Sequence, residues 1–318
     1  MALPILGIVL GLAVLTVAAD QFVLGATRIA AQLRVSTVVI GAVVIGFGTS
    51  APELVVSVLA GLRGSLDLAV GNIVGSNVAN LSLVLGVAAL IGPIGVTWPV
   101  LKREAPMALG MVVLFALLLQ DGTLGLLDAA LLAVALVAAL TTTLLFASRN
   151  DGDADLQASV EELLDEATRP SLRRESLRTL LGLLATLGAA QVLVVSATDV
   201  ARALGLSEAF IGLTIVAIGT SLPELATAIQ AARHGETDLL VGNLLGSNIF
   251  NVGAVGTAAA LAGAGQALEP SITGLGAALM VAVALLATVF MLSGRKVQRL
   301  EGLVLLLLYA TTLPFLAG

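Results

Sequence analysis

Residues 48–80 and 219–251 superimpose at a constant offset of 171 without a gap, and roughly half of the positions agree. A repeat of this kind, set in a chain that is otherwise nearly all hydrocarbon, restricts the fold more than any other feature of the sequence. Of the 318 residues, 58% are hydrophobic and 11% charged, and the mean hydropathy is +1.08. That composition belongs to an integral membrane protein, not to a soluble domain. With about 20 apolar residues per helical span, ten candidates follow: 4–20, 36–62, 68–95, 104–120, 123–147, 177–198, 207–232, 239–264, 271–292 and 300–317.

A polar stretch at 148–176 separates five spans from five. An odd number of spans per half makes the second copy enter the bilayer from the opposite side. The expected fold is therefore all-α, with ten transmembrane helices in two inverted repeats: 1–147 with its motif at 46–86, an acidic loop at 148–176, and 177–318 with its motif at 217–257. Lys and Arg orient it, since they collect on the cytoplasmic side. With the N-terminus outside, Arg28, Arg34, Lys102, Arg103, Arg149, Arg169, Arg173, Arg174, Arg178, Arg233, Arg295, Lys296 and Arg299 fall inside, leaving Arg63 and Arg202 outside. Both termini are then external and the 148–176 loop cytoplasmic. The N-terminal apolar run has no Lys or Arg ahead of it and is expected to remain as the first span.

The absence of cysteine removes disulfides and thiolate sites, and a single histidine, His234, leaves little for zinc or haem. The net charge of −6 resides mostly in the loop, and there is no basic stripe for nucleic acid. Loop residues Asp151, Asp153, Asp155, Gln157, Ser159 and Glu162 have the spacing of EF-hand ligands, but Leu156 stands where the tight turn needs glycine. The segment is expected to be a solvated acidic helix and linker. Asp67 and Asp238 recur near span starts, where a carboxylate favours a helix N-terminus, and Trp98 is expected to anchor at the interface.

The chemistry lies in the repeats. Ser50-Ala51-Pro52-Glu53 and Ser221-Leu222-Pro223-Glu224 have the spacing of a capping box with proline in the first turn, so a helix is expected to restart at each. A carboxylate at mid-membrane costs about 3 kcal/mol on insertion scales. Two of them at matched positions point to a cation site, although a capping role is compatible with it. Asn72, Ser76 and Asn80 are spaced by four, as are Asn243, Ser247 and Asn251, which puts oxygen-bearing groups in a stripe along each helix. Gly71 with Gly75 and Gly242 with Gly246 let helices approach closely. Asn72, Asn77, Asn243 and Asn248 are expected to serve packing or support. Glu53 and Glu224, hydroxyls from Thr49, Ser50, Ser76, Thr220, Ser221 and Ser247, and amide oxygens from Asn80 and Asn251 form a hard-oxygen set suited to Ca2+ or Na+. A membrane site that must be filled by one or the other is an antiporter.

At these residues the chain resembles the calcium/cation antiporter family, in particular the prokaryotic sodium/calcium exchangers, whose two α-repeats are matched by GTSAPE with GNIVGSNVAN and by GTSLPE with GNLLGSNIFN. The likeness implies that Glu53 and Glu224 are carboxylates shared by Ca2+ and Na+. It implies that Thr49 and Thr220 act beside them, that Ser50, Ser76, Ser221 and Ser247 serve flanking Na+ sites, and that Asn80 is central. It also implies that carbonyls near Gly46 and Ala217 complete outer sites, and that spans one and six slide as a gate against the other eight. Glycines at 7, 11, 25, 182 and 188 are compatible with that sliding. Family members often carry aspartate at the position of Asn251. Its replacement here points away from K+ coupling. The transported ions and the bilayer are the expected partners, with neither a cofactor nor an obligate protein partner, and the plasma membrane is the expected location. Two rivals stay open: a Ca2+/H+ exchanger whose glutamates take up protons, and a cation channel or a calcium-binding membrane protein that moves nothing.

Overall fold

A computed structural model describes residues 2–32, 48–147, 171–235 and 237–316 of the chain. The first part of the second span (36–47), Gly46 and most of the acidic loop lie outside the described residues. The architecture is helical: α1 (Ala2–Gln32), α2 (Ala51–Leu62), α3 (Leu66–Ile91), α4 (Glu104–Leu118), α5 (Leu126–Ala147), α6 (Leu172–Leu204), α7 (Glu208–Thr220), α8 (Leu222–His234), α9 (Thr237–Phe250, extended through 251–262), α10 (Ile272–Leu292) and α11 (Arg299–Leu316). Among the described residues seven helices are long and apolar enough to cross a membrane, or eight if α7 and α8, bent by 44° at their junction, count as one broken span. The only strands among those residues, β1 (Ile94–Gly95) and β2 (Lys296–Val297), pair antiparallel and tie the segment after α3 to the segment after α10. At the other end of these helices Leu268 N–H donates to the Gly122 carbonyl at 2.8 Å.

Burial is distributed unevenly. In α3 83% of the most apolar window is enclosed by protein and in α9 72%, against 28% in α1 and 39% in α6. The α3 helix can sit at the centre because its glycines admit a neighbouring backbone. A Cβ on Gly71 would stand 2.8 Å from the Ala209 carbonyl, and one on Gly212 of α7 would stand 2.5 Å from the Leu68 carbonyl. The α3 and α7 backbones are thus in direct contact, and no side chain larger than hydrogen fits between them.

The α1 and α6 helices lie antiparallel along most of their length. Gly7 faces Ser196, Gly11 faces Leu193, Gly25 faces Thr179, and Gly182 faces the backbone of Phe22. Gly188 does not share in this contact: no described atom lies within 4 Å of its Cβ position. One end of the pair is held by ions. The buried Glu175 carboxylate lies 3.3 Å from Arg178 and 3.9 Å from Arg28 of α1. The sixth span is longer than 177–198 because Ser171 caps the helix with its hydroxyl, accepting from Arg174 N–H at 3.2 Å, so the charged turn Arg173–Arg178 is already helical.

Asp67 and Asp238 do lie in first turns, but both also reach out of their helices. Asp67 accepts from the Glu269 N–H at 2.7 Å and Asp238 from the Thr97 N–H at 3.2 Å, so each fastens the start of a central helix to a connecting segment of the other half. Trp98 is half exposed, with the Lys102 ammonium 4.8 Å above its ring.

Candidate functional site

Helix α2 begins at Ala51 and α8 at Leu222, each with proline in the first turn, where its missing N–H costs nothing. The expected restart is there at α8, which follows α7 at a bend, and α2 starts where expected after residues that lie outside the described ones, but the capping box is absent. Neither Ser50 nor Ser221 makes a side-chain cap bond. Each hydroxyl crosses to the other half instead: Ser50 Oγ donates to Glu224 Oε1 at 3.3 Å, and Ser221 Oγ donates to Glu53 Oε1 at 3.3 Å. The S-x-x-E spacing serves a carboxylate belonging to the other copy, not its own helix end.

The same reciprocity governs the threonines. Thr220 Oγ1 donates to Asn72 Oδ1 at 3.1 Å, and Thr49 Oγ1 donates to Asn243 Oδ1 at 3.4 Å. Asn72 Nδ2 in turn donates to Ser57 Oγ at 3.1 Å, and Asn243 Nδ2 donates to Thr227 Oγ1 at 3.4 Å. A threonine whose hydrogen is committed to an asparagine presents only lone pairs to whatever else approaches. Asn72 and Asn243 therefore fill the supporting role expected of them. Ser57 and Thr227, which back them, carried no sequence signal, because Ser57 aligns with Ala228 and Thr227 with Val56.

Glu53, Glu224, Ser76, Asn80, Ser247 and Asn251 are fully enclosed, and Ser50, Thr220 and Ser221 nearly so. Among the described residues no Lys or Arg pairs with either glutamate. Among the described residues a set of buried oxygens has no hydrogen-bond partner: Glu53 Oε2, Glu224 Oε2, Ser76 Oγ, Asn80 Oδ1 and Asn251 Oδ1. Buried carboxylates and amides left bare cost several kcal/mol. All five are hard oxygen donors, the kind that alkali and alkaline-earth cations accept. Ser247 also meets Thr49, Oγ to Oγ1, at 3.2 Å. Both central helices pass through π turns that open on the paired asparagines, Asn80–Val84 and Asn251–Val255, a local widening frequent where a helix lines a site. Ala217 is buried, and its carbonyl accepts from the Ser221 N–H at 3.1 Å, which leaves its second lone pair for another partner.

This pattern of two carboxylates, cross-held hydroxyls and bare oxygens can be set beside known proteins. Residues 3–145 and 177–317 match the sodium/calcium exchanger protein family. The chain belongs to that family. Its members are membrane transporters, not enzymes, and the two matched segments leave out the polar stretch between the halves. The putative antiporter CaxA of Alkalimonas amylolytica is 37% identical over 310 residues, covering 95% of each chain. The sodium/calcium exchanger MaX1 of Methanosarcina acetivorans is 30% identical and covers 97% of each. In three dimensions the chain is similar to the sodium-calcium exchanger NCX_Mj soaked with Na+ and Sr2+, with a TM-score of 0.66, 32% identity and 98% of both chains covered. Family membership makes this a multi-pass membrane antiporter, in agreement with its apolar helices.

Proposed function

We propose that this chain exchanges Na+ for Ca2+ across the plasma membrane by alternating access and independently of K+. The observation that carries the reading is the pair of fully buried carboxylates, Glu53 and Glu224. Each has one oxygen held by a serine of the other half and one oxygen bare, with no basic side chain among the described residues to neutralise them. Two fixed negative charges in a low-dielectric interior call for cations. One Ca2+ or a set of Na+ ions answers that need equally well. Both cannot be accommodated at once, and this competition couples their movements.

In this reading Glu53 and Glu224 bind both cargoes, with Thr49, Thr220, Ser50, Ser76, Ser221, Ser247, Asn80 and Asn251 supplying neutral oxygens. The halves 1–147 and 177–318 are inverted five-helix repeats joined by a cytoplasmic loop, which gives ten spans and external termini. The α1–α6 pair, attached to the rest mainly through its inner face, slides against the central helices. Asn251, uncharged, supplies no third carboxylate through which K+ would be recruited.

The test is 45Ca2+ uptake into vesicles reconstituted with the purified chain. Uptake should require an outward Na+ gradient, reverse with it, and be the same with and without K+. Uptake driven by a pH gradient with Na+ absent would replace the reading with proton exchange, and flux without any opposing gradient would replace it with a channel.

A further inference from the structure

The two copies of the G-S-N motif have identical spacing, yet their second asparagines are bonded differently. Asn77 turns back along its own helix, Nδ2 donating to the Ile73 carbonyl at 2.8 Å. Asn248 crosses between the halves. Its Nδ2 donates to the backbone carbonyl of Asn77 at 3.3 Å, and its Oδ1 accepts from Asn80 Nδ2 at 3.1 Å. All of these side chains are buried.

The order of these bonds dictates which way each amide faces. A backbone carbonyl can only accept, so the Asn77 carbonyl determines that the NH2 end of Asn248 faces it. The end of Asn248 that meets Asn80 must then be oxygen. Asn80 has to answer with its own NH2, which leaves its Oδ1 on the far side, buried and without a partner. Polarity is thus passed from a main-chain group, which cannot flip, through Asn248 to Asn80. At the equivalent residue of the second half nothing does this. Among the described residues both Nδ2 and Oδ1 of Asn251 lack partners, and no bond selects between its two faces.

A cation takes the oxygen of an amide and is repelled by its NH2 group. We infer that Asn248 is a positioning residue that presets Asn80 as a cation ligand, so that Asn80 and Asn251, alike in sequence, contribute unequally to ion binding. The inference rests on the cation-exchange reading above and deepens it. Outer partners that orient ligands in this way are typically worth 10- to 100-fold in ion affinity. A divalent ion interacts with a misoriented dipole about twice as strongly as a monovalent one, so Ca2+ should suffer more than Na+.

Equilibrium 45Ca2+ binding to the purified full-length chain, with Na+ as competitor, tests this. Asn248→Ala should weaken Ca2+ about ten-fold and Na+ about three-fold, and in an Asn80→Ala background it should change neither further. Equal losses for both ions, or the same loss with and without Asn80, would reduce Asn248 to general packing and overturn the inference. Asn248→Ser serves if the alanine variant does not assemble. Independently of position 248, Asn80→Ala should cost more Ca2+ affinity than Asn251→Ala, and equality or the reverse order would also overturn it. A wild-type chain that binds no Na+-displaceable Ca2+ would remove the exchange reading itself. Normal wild-type binding with unaltered variants would remove only the role of Asn248.

Discussion

The central helices α3 and α9 and the outer pair α1 and α6 solve opposite problems with similar raw material. The most apolar window of α1 has a mean hydropathy of 2.5 and that of α6 2.0, with 28% and 39% enclosed, whereas α3 and α9 have 1.8 and 1.4 with 83% and 72% enclosed. The less apolar helices are the more deeply buried ones, the reverse of a soluble core. Lipid makes no demand that apolar side chains face inward, so the interior can be given to asparagine, serine and glycine. The outer pair spends its leucines on the bilayer, and its mutual contact runs along Gly7, Gly11, Gly25 and Gly182. Polarity is thus collected in the middle and apolar surface at the edge.

Changes at the centre should break that contrast most severely. Glu53→Gln and Glu224→Gln should each lower 45Ca2+ uptake by a factor of about 100 or more while the protein still elutes as a folded species, since removing one of two buried charges removes most of the attraction for a divalent ion. Full activity in either variant would dissolve the site. Next in size is Gly75→Leu. A Cβ there already collides with the Leu213 carbonyl and with Ala217, both held by α7, so about 3 kcal/mol or more of overpacking is expected. It should be measured as loss of folded yield and thermal stability.

Smaller effects are expected on the outer pair. Glu175→Ala leaves Arg28 and Arg178 without their carboxylate and should cost about 2 kcal/mol, less than a fully enclosed triad would because Arg178 is 23% exposed. A thermal melt in detergent measures it. Leu181→Ala, on the lipid-facing side of α6 with 56% exposure, should shift stability by no more than about 0.5 kcal/mol. If Leu181 proved as costly as Gly75, α6 would be packed against protein on that face, and the contrast between the two helix pairs would weaken.

The paired glutamates and the Asn and Ser stripes were legible because they break a hydrocarbon background, and a polar atom in lipid needs a reason. Four things were hidden. The cap spacing of Ser50 and Ser221 is compatible with a bond to the helix's own end or to another helix, and only tertiary packing decides between them. The length of α6 was underestimated because hydropathy falls at Arg173–Arg178, although Ser171 starts a helix there regardless. The π turns at Asn80 and Asn251 have no signature in composition or spacing. The difference between Asn77 and Asn248 is equally invisible, since the motifs read alike and only the neighbours differ.

Because Ser50 steadies the carboxylate of Glu224 and Ser221 that of Glu53, the proposed ion site is joint property: a fragment ending before the polar linker would own a glutamate but not the hydroxyl that completes it. A chain severed within that linker should regain binding only when both pieces are produced together, and an ancestor built from one copy would, on the proposed inverted-repeat plan, have needed a second molecule to complete the site.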